Sequence, residues 1–454
     1  MRRRVVIIGG GVAGTAAFAA LARAGADASV DVVDPLPAGG SPAFAVEDAA
    51  LLCNTSADLM SLVPRTPGDF GGILSARGVV SDREAFAPRR EFARYLRDVH
   101  DFWAGRPGAA YRRFARRAVR VERHDDGYRV VLDDGTSLSA TDVLVCSGWG
   151  PPRVPDGLDR MPGVVPSPFP ERRMLESVPP SGNVLVLGTK LSAIDAALLL
   201  ARHGHRVTMA SPSGDLPAVR TRTVRGAVRI DPAEVGRLDP ADPRLTRRIL
   251  ALAARTLGLP LSCADASRGT VERLRAEIGL ARRGQVGWQD VLVELVDIAN
   301  PMLLRRDADA RRRVHRACGP LMRYLGAFPL CNAERLLALL DSGQVRVRAG
   351  APSRLDGPSR VQWPDGRTER FDTIVCATGF TSRPMHMRHG ALVLSDGPSA
   401  APPELDTDLR LRMDGRSERI WLLGISSGFR MPFVNAVHHA ADQADAFVQK
   451  FAEA

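Results

Sequence analysis

The sequence predicts an α/β chain with two Rossmann-like dinucleotide-binding domains and a helical insertion in the second. Three observations predict it. Two stretches, at residues 5–34 and 183–211, each read as an apolar strand, a glycine turn, an alanine-rich helix and a second strand. From about residue 239 to 341 apolar residues recur three and four apart, as in RRILALAARTLGL and QDVLVELVDIANPMLL. Strand patterns return after that region, at VRVRAG (345–350) and DTIVCATGF (372–380). The expected division is a first domain over 1–155, a second over 175–385 carrying the insertion, and a return of 386–454 to the first.

The first βαβ opening is the most informative. In VVIIGGGVAG, Gly9 permits a tight turn, Gly11 lets the backbone approach a pyrophosphate, and Gly14 allows the helix to lie close on the strand. The start of that helix then offers unpaired amides and the positive end of its dipole to an anion. About twenty residues on, SVDVVD ends in Asp34, whose carboxylate can accept hydrogen bonds from both ribose hydroxyls. Strand, loop, helix, second strand and terminal acid arriving in register make dinucleotide binding the expectation. FAD is favoured over NAD for this domain because a second nucleotide unit follows it.

Between the two openings, turns at DDG (125–127) and DDG (133–135) mark β-hairpins. DVLVCSG (142–148) reads as a strand rejoining the sheet. PPRVPDGLDRMPGVVPSPFP (151–170) is too rich in proline and glycine for a helix or a central strand and reads as the crossing between domains. The second opening, NVLVLGTKLSAIDAALLL, keeps Gly188 but places Lys190 where a glycine usually admits the pyrophosphate. A lysine there can set its ammonium on a phosphate or plug the site. Ser211 and Ser213 follow the second strand, where an arginine would select the 2′-phosphate of NADP, so NADPH and NADH both stay open; Arg220 and Arg222 are the nearby cations. Gly379 lies near the point where the chain crosses back. The last segment reads as a strand, a loop with Gly424, Ser426 and Ser427, and a closing helix whose start would aim amides at the flavin. His438 and His439 lie on that helix; polar packing is one role for them and proton supply the other.

Composition bounds what remains. The chain, 454 residues long, exceeds what one core organises, and 45% apolar with 25% charged residues describes a folded globular protein. Its net charge of +11 is carried by arginine, since Lys190 and Lys450 are its only lysines. Those arginines are scattered rather than gathered on one face, and the densest runs, YRRFARR and DADARRRVHR, read as solvated faces, so no nucleic-acid partner is expected. The six cysteines stand far apart without CxxC or histidine spacing, which predicts reduced thiols and no metal site. The N-terminus imitates a signal peptide, but glycines interrupt its apolar run, and no stretch reaches membrane-spanning length. The expected location is cytoplasmic, without membrane contact; self-association into a homo-oligomer stays open. No HExxH or P-loop is present.

ATGF (377–380), LLCNTSADLMSLVP (51–64), PRREFARYL (88–96), and GTKLSAID with GDLP (214–217) carry a family resemblance over nearly the whole chain. The chain resembles two-dinucleotide-binding-domain flavoproteins and, more narrowly, the class B-like flavin monooxygenases and amino-acid N-hydroxylases. The resemblance implies that Asn54 and Ser56 sit near the flavin, that Arg90 anchors FAD, and that Val119 meets the adenine through its backbone. The loop readings add Gly188, Lys190, Ser211 and Gly379 as candidates for the second nucleotide site, with Lys190 and Ser211 departing from the family pattern, and Gly424 and Ser427 as candidates beside the flavin. The implied activity is oxygenation of a small molecule with NAD(P)H and O2 through a flavin hydroperoxide, an amine or amino-acid nitrogen being the narrower target. No individual catalytic residue is implied. Residues 162–170 lack the FxGxxxHxxxW/Y signature of many class B enzymes. Two other readings stand beside this one: an FAD-dependent oxidase or dehydrogenase with a degenerate nicotinamide site, and a non-catalytic FAD-binding scaffold that engages a partner through the insertion.

Overall fold

The computed structural model describes residues 2–63, 69–79, 86–258, 261–394 and 403–453; Pro64, the end of the 51–64 motif, lies outside them. Each βαβ opening has become the centre of its own sheet. The first sheet runs in the order Arg410–Met413, Arg416–Leu422, Asp142–Val145, Arg3–Ile8, Ala28–Val33, Tyr111–Phe114, parallel throughout except for its first pair. Its central strands are continuous apolar runs because both faces are covered, as parallel sheets require. The helix Val12–Arg23 lies on one face and is itself flanked by the helices Arg89–Ala104 and Val437–Glu453. Phe18, Phe92, Tyr95, Trp421 and Phe447 are buried in this core.

The second sheet is wholly parallel, in the order Val345–Ala349, Arg206–Ser211, Asn183–Leu187, Thr373–Cys376, Val164–Val165. Its last strand comes from the proline-rich crossing, where Val164 and Val165 supply a short edge that proline neighbours would forbid in the sheet's centre. The crossing also contributes Trp149–Pro152, which pairs antiparallel with Phe380–Ser382, so outgoing and returning chain run side by side. The returning strands His386–Arg388 and Ala391–Val393 then complete an antiparallel sheet with Ala118–His124, Gly127–Leu132 and Ser137–Ala140. At its first DDG, His124 pairs with Gly127 across a tight turn in which Asp125 has φ +48°.

The helical stretch divides between two cores. Leu252, Val291 and Leu295, from the helices Leu245–Leu257 and Trp288–Leu304, form a small separate cluster. Leu274, Ile278 and Leu336, from Thr270–Arg282 and Leu330–Asp341, are buried in the core of the second sheet. Periodicity reports that a helix has an apolar face but not which core receives it. The six cysteines form no disulfide with one another, and four of them are buried. Among the described residues no helix is long and apolar enough to cross a membrane.

Candidate functional site

The first glycine loop is built by backbone crowding. Gly9 donates its N–H to Val33 O at 2.9 Å and takes φ +102°, and a Cβ there would stand 2.4 Å from Cys146 O. A Cβ on Gly14 would stand 1.8 Å from Gly9 O, so the helix can start this close to the strand only without one. Gly11 is extended, at φ −74° and ψ −153°, and caps the helix; the nearest atom to a Cβ there would be Gly40 O at 3.4 Å. The helix has no acidic residue in its first turn to compete with an anion. Asp34 is partly exposed at the end of its strand. Its Oδ2 accepts from Gly10 N at 2.7 Å and its Oδ1 from Leu36 N at 2.8 Å, which fixes the carboxylate while leaving each oxygen a free lone pair.

A cavity of about 200 Å³ opens beside this loop, lined by Gly9, Asp34, Val119, Ser147, Arg117 and Arg383 among others. Val119 sits at a register shift between Ala118 and Arg120, and its carbonyl accepts from Leu394 N at 2.9 Å. Arg383, from the returning chain, donates through Nε to Ser147 O at 2.7 Å. Three residues singled out from the sequence, Gly9, Asp34 and Val119, therefore share one cavity with groups that carry no local signal. Gly39 and Gly40 pack against the same loop. Gly39 N donates to Gly10 O at 3.1 Å, φ at Gly39 is +67°, and a Cβ on either would come within 2.9 Å of backbone. A glycine pair five and six residues after Asp34 was the available signal.

Gly424 and Ser427 reach the same loop from the other end of the chain. A Cβ on Gly424, which has φ +62°, would stand 2.8 Å from Ala13 Cβ. Gln443 holds this turn: its Oε1 accepts from Gly424 N at 2.6 Å and its Nε2 donates to Ser427 Oγ at 3.2 Å. The neighbouring Ser426 Oγ accepts from Ser147 N at 3.0 Å. Asn54 lies in a partly exposed turn and makes no hydrogen bond among the described residues. Ser56 is fully buried and donates to Thr223 O at 2.6 Å, so it ties the first domain to the chain after the second glycine unit. Arg90 is half exposed, donating to Glu47 O at 3.3 Å. The arginine before it behaves differently. Arg89 is 8% exposed, donates to Leu52 O, and pairs at 2.5 Å with the buried Asp195 on the second unit's helix.

The second loop repeats the first in backbone and differs in side chains. Gly188 N donates to Ala210 O at 2.7 Å, φ is +131°, and a Cβ would stand 2.6 Å from Ala377 O. Ala377 opens ATGF; Gly379, with φ +91°, gives its carbonyl to Arg153 N at 2.9 Å and so belongs to the paired crossing strands. Lys190 takes the extended cap position of Gly11, at φ −97° and ψ −168°. Its Nζ donates to Asp215 O at 3.1 Å. Burial pulls the Lys190 amine below its ordinary pKa, Asp215 opposes that, and the nearby Arg323 and Arg273 add to it. Ser211 stands where Asp34 stands in the first unit; its hydroxyl meets Thr189 Oγ1 at 2.8 Å and accepts from Gly214 N at 3.1 Å. Arg220 donates to Tyr324 O and Leu325 O, and Arg222 pairs with Asp58 at 2.8 Å; Arg273 and Arg323, from the insertion, also lie near Lys190, with Arg323 held by Leu216 O and Glu277.

Residues 6–150 match a family model for FAD-NAD(P)-binding domains. No curated protein matches the sequence. Solved structures similar to the whole chain include an ornithine hydroxylase from Pseudomonas aeruginosa, at TM-score 0.62 and 16% identity over 99% of each chain. An L-lysine 6-monooxygenase from Pseudomonas syringae follows at TM-score 0.58 and 16% identity, over 100% of this chain and 99% of that one. A bacillithiol disulfide reductase from Staphylococcus aureus is similar at TM-score 0.53 and 12% identity over 99% of both. The fold is that of the two-dinucleotide-binding flavoproteins. Two βαβ units, each on its own sheet, are present, and the FAD-NAD(P)-binding match falls on the first.

Proposed function

We propose that this chain is an FAD-dependent monooxygenase that uses NAD(P)H and O2 to oxygenate a small molecule, most specifically the nitrogen of an amine or amino acid. The observation that carries the reading is the likeness, over at least 99% of each chain, to an ornithine hydroxylase and a lysine monooxygenase. FAD fits the first unit: a loop closed to side chains at Gly9 and Gly14, a fixed carboxylate at Asp34, and a cavity running to Val119. Bound there, FAD supplies hydride acceptance and O2 activation, and NAD(P)H, a proton, O2 and an amine give NAD(P)+, water and a hydroxylamine.

The chain's own residues bind and orient. Gly11 and the helix start meet the pyrophosphate, Asp34 holds the ribose, Val119 borders the adenine, and Gly424 with Ser427 faces the flavin end. Asn54, with no hydrogen-bond partner among the described residues, remains available to the flavin, while Arg90 acts at the rim. In the second unit, Lys190 supplies to a nicotinamide phosphate what the replaced glycine would have supplied by backbone, with Arg273 and Arg323 adding charge. That set favours NADPH, whose extra phosphate gains from each cation.

The test is anaerobic reduction of the purified flavoprotein by NADPH and by NADH, followed by air and a panel of amines including ornithine and lysine. NADPH bleaching the flavin, then amine-dependent hydroxylamine formation with matching NADPH consumption, is the expected result. Bleaching by an organic substrate alone would replace this reading with the oxidase.

A further inference from the structure

We propose that Asp297, His438 and His439 form a binding site for one divalent transition-metal ion of the Zn²⁺ class, which fastens the helical insertion to the final helix. His438 and His439 are neighbours near the start of the helix Val437–Glu453, and both are buried. Their Nε2 atoms converge on a single oxygen, Asp297 Oδ1, at 3.2 and 3.0 Å. Asp297 belongs to the helix Trp288–Leu304 of the insertion. One ligand atom from each of the three residues lies within 4.8 Å of the others.

The spacing suits an ion. Tetrahedral bonds of about 2.0 to 2.1 Å to nitrogen and oxygen place neighbouring ligand atoms about 3.3 Å apart. The two measured edges fall just inside that value, so a small outward shift admits the metal. Two imidazoles and one carboxylate are a donor set for first-row divalent ions that keep open positions. Both Nδ1 atoms are buried without a partner among the described residues, so the Nε2 atoms carry the polar contacts of the two rings. Arg225 donates through Nε to the other carboxylate oxygen, Asp297 Oδ2, at 2.8 Å, which orients Oδ1 toward the histidines as outer-shell groups orient metal ligands.

Access and charge agree with the geometry. A cavity of about 700 Å³ is lined by Asp297 and His438, and one of about 290 Å³ by Asp297 and His439, so a water or a fourth ligand can reach the cluster. The larger cavity also carries Glu294, Asp442 and Asp445. Arg225 and the Asp442 that it also bridges are the other charged groups packed on the cluster. No metal spacing is visible in the sequence because the carboxylate lies 141 residues before the first histidine.

The experiment uses the tag-free, FAD-loaded full chain, dialysed against chelator and titrated with Zn²⁺ by calorimetry. One equivalent bound per chain is expected, falling to none in His439→Gln and in Asp297→Asn, and staying at one in Cys263→Ser, which removes the exposed thiol. Co²⁺ loading of the unmutated chain gives a second measurement that needs no variant to fold. Visible bands of a four- or five-coordinate nitrogen and oxygen site are expected. No binding to the unmutated chain, undiminished binding in both cluster variants, or Co²⁺ bands with thiolate charge transfer would each overturn the proposal. None of these readouts depends on turnover, so the site stands or falls apart from the oxygenase reading.

Discussion

The two glycine loops are nearly the same piece of backbone put to two uses. Gly9 and Gly188 both accept positive φ, both donate to the neighbouring strand, and both sit where a side chain would strike a carbonyl, of Cys146 in one case and Ala377 in the other. At the next functional position the loops part. Gly11 and Lys190 hold the same extended cap conformation, which any residue adopts, so glycine at 11 serves the space in front of it and not the chain behind it. At the turn itself both loops keep glycine, while the helix-packing position of Gly14 is taken by Ala193 in the second loop. Where glycine only makes room, the second loop has filled the room with Lys190, and a Thr189–Ser211 hydroxyl pair replaces the contact between Gly10 N and Asp34. The second unit is therefore an intact loop with an altered ligand face.

The sharpest way to break that comparison is at the backbone-demanding positions. Gly14→Ala puts a Cβ 1.8 Å from Gly9 O, a clash with main chain that cannot step aside. The expected cost exceeds the ~1–3 kcal/mol of ordinary overpacking, and the variant should purify with little FAD, read from flavin absorbance per polypeptide. Gly11→Ala is the control: its nearest neighbour would be at 3.4 Å, so the variant should keep its melting temperature and lose FAD affinity alone. Equal melting losses in the two variants would end the distinction between folding glycines and ligand glycines.

The next effect lies between the loops rather than in either. Arg89 and Asp195 are an ion pair buried between the two units, and removing one partner strands the other's charge. Asp195→Ala should cost about 3–5 kcal/mol in denaturant unfolding. The double variant Arg89→Met, Asp195→Leu should recover most of it. This pair also marks what the sequence concealed. PRREF was legible as an important motif, yet the choice between Arg89 and Arg90 depends on which face of a helix meets a partner 106 residues away. Gly9, Gly14 and Asp34 were legible because strand, turn and helix lengths fix them locally. Ser147 and Arg383, which border the same cavity, were not, since 236 residues separate them and only the paired crossing strands bring them together. The 239–341 stretch was readable as helical but not as two allegiances, because an apolar face does not name its partner.

A smaller effect sharpens the comparison of the strand-end residues. Asp34 is held by two backbone amides and offers its remaining lone pairs outward, whereas Ser211 spends its hydroxyl on Thr189 and Gly214. Asp34→Ala should raise the dissociation constant for FAD by roughly ten- to a hundredfold, the equivalent of losing charged hydrogen bonds worth about 1.5–3 kcal/mol. Ser211→Ala should leave FAD binding unchanged and move only the nicotinamide steps, which titration of apoprotein with FAD and stopped-flow reduction would separate.

The smallest expected change is also the most specific to Lys190. As an ammonium on a phosphate it should contribute about a tenfold lower KM for NADPH, which Lys190→Ala would remove, in line with a charged hydrogen bond of about 1.5 kcal/mol. Its pKa is lowered in the folded protein, by burial first and by Arg323 and Arg273 as well, with Asp215 opposing. The sign follows from that direction. A lysine binds phosphate only while protonated, so its contribution is full at low pH and fades as pH rises through the folded pKa, beginning below the ordinary lysine value of 10.5. KM for NADPH should therefore climb on the alkaline side earlier than an exposed lysine would allow, and Lys190→Arg should flatten the climb because a guanidinium stays charged there. A profile identical in Lys190→Ala and in the unmutated enzyme would make this lysine a plug, and the altered face of the second loop a loss rather than a substitution.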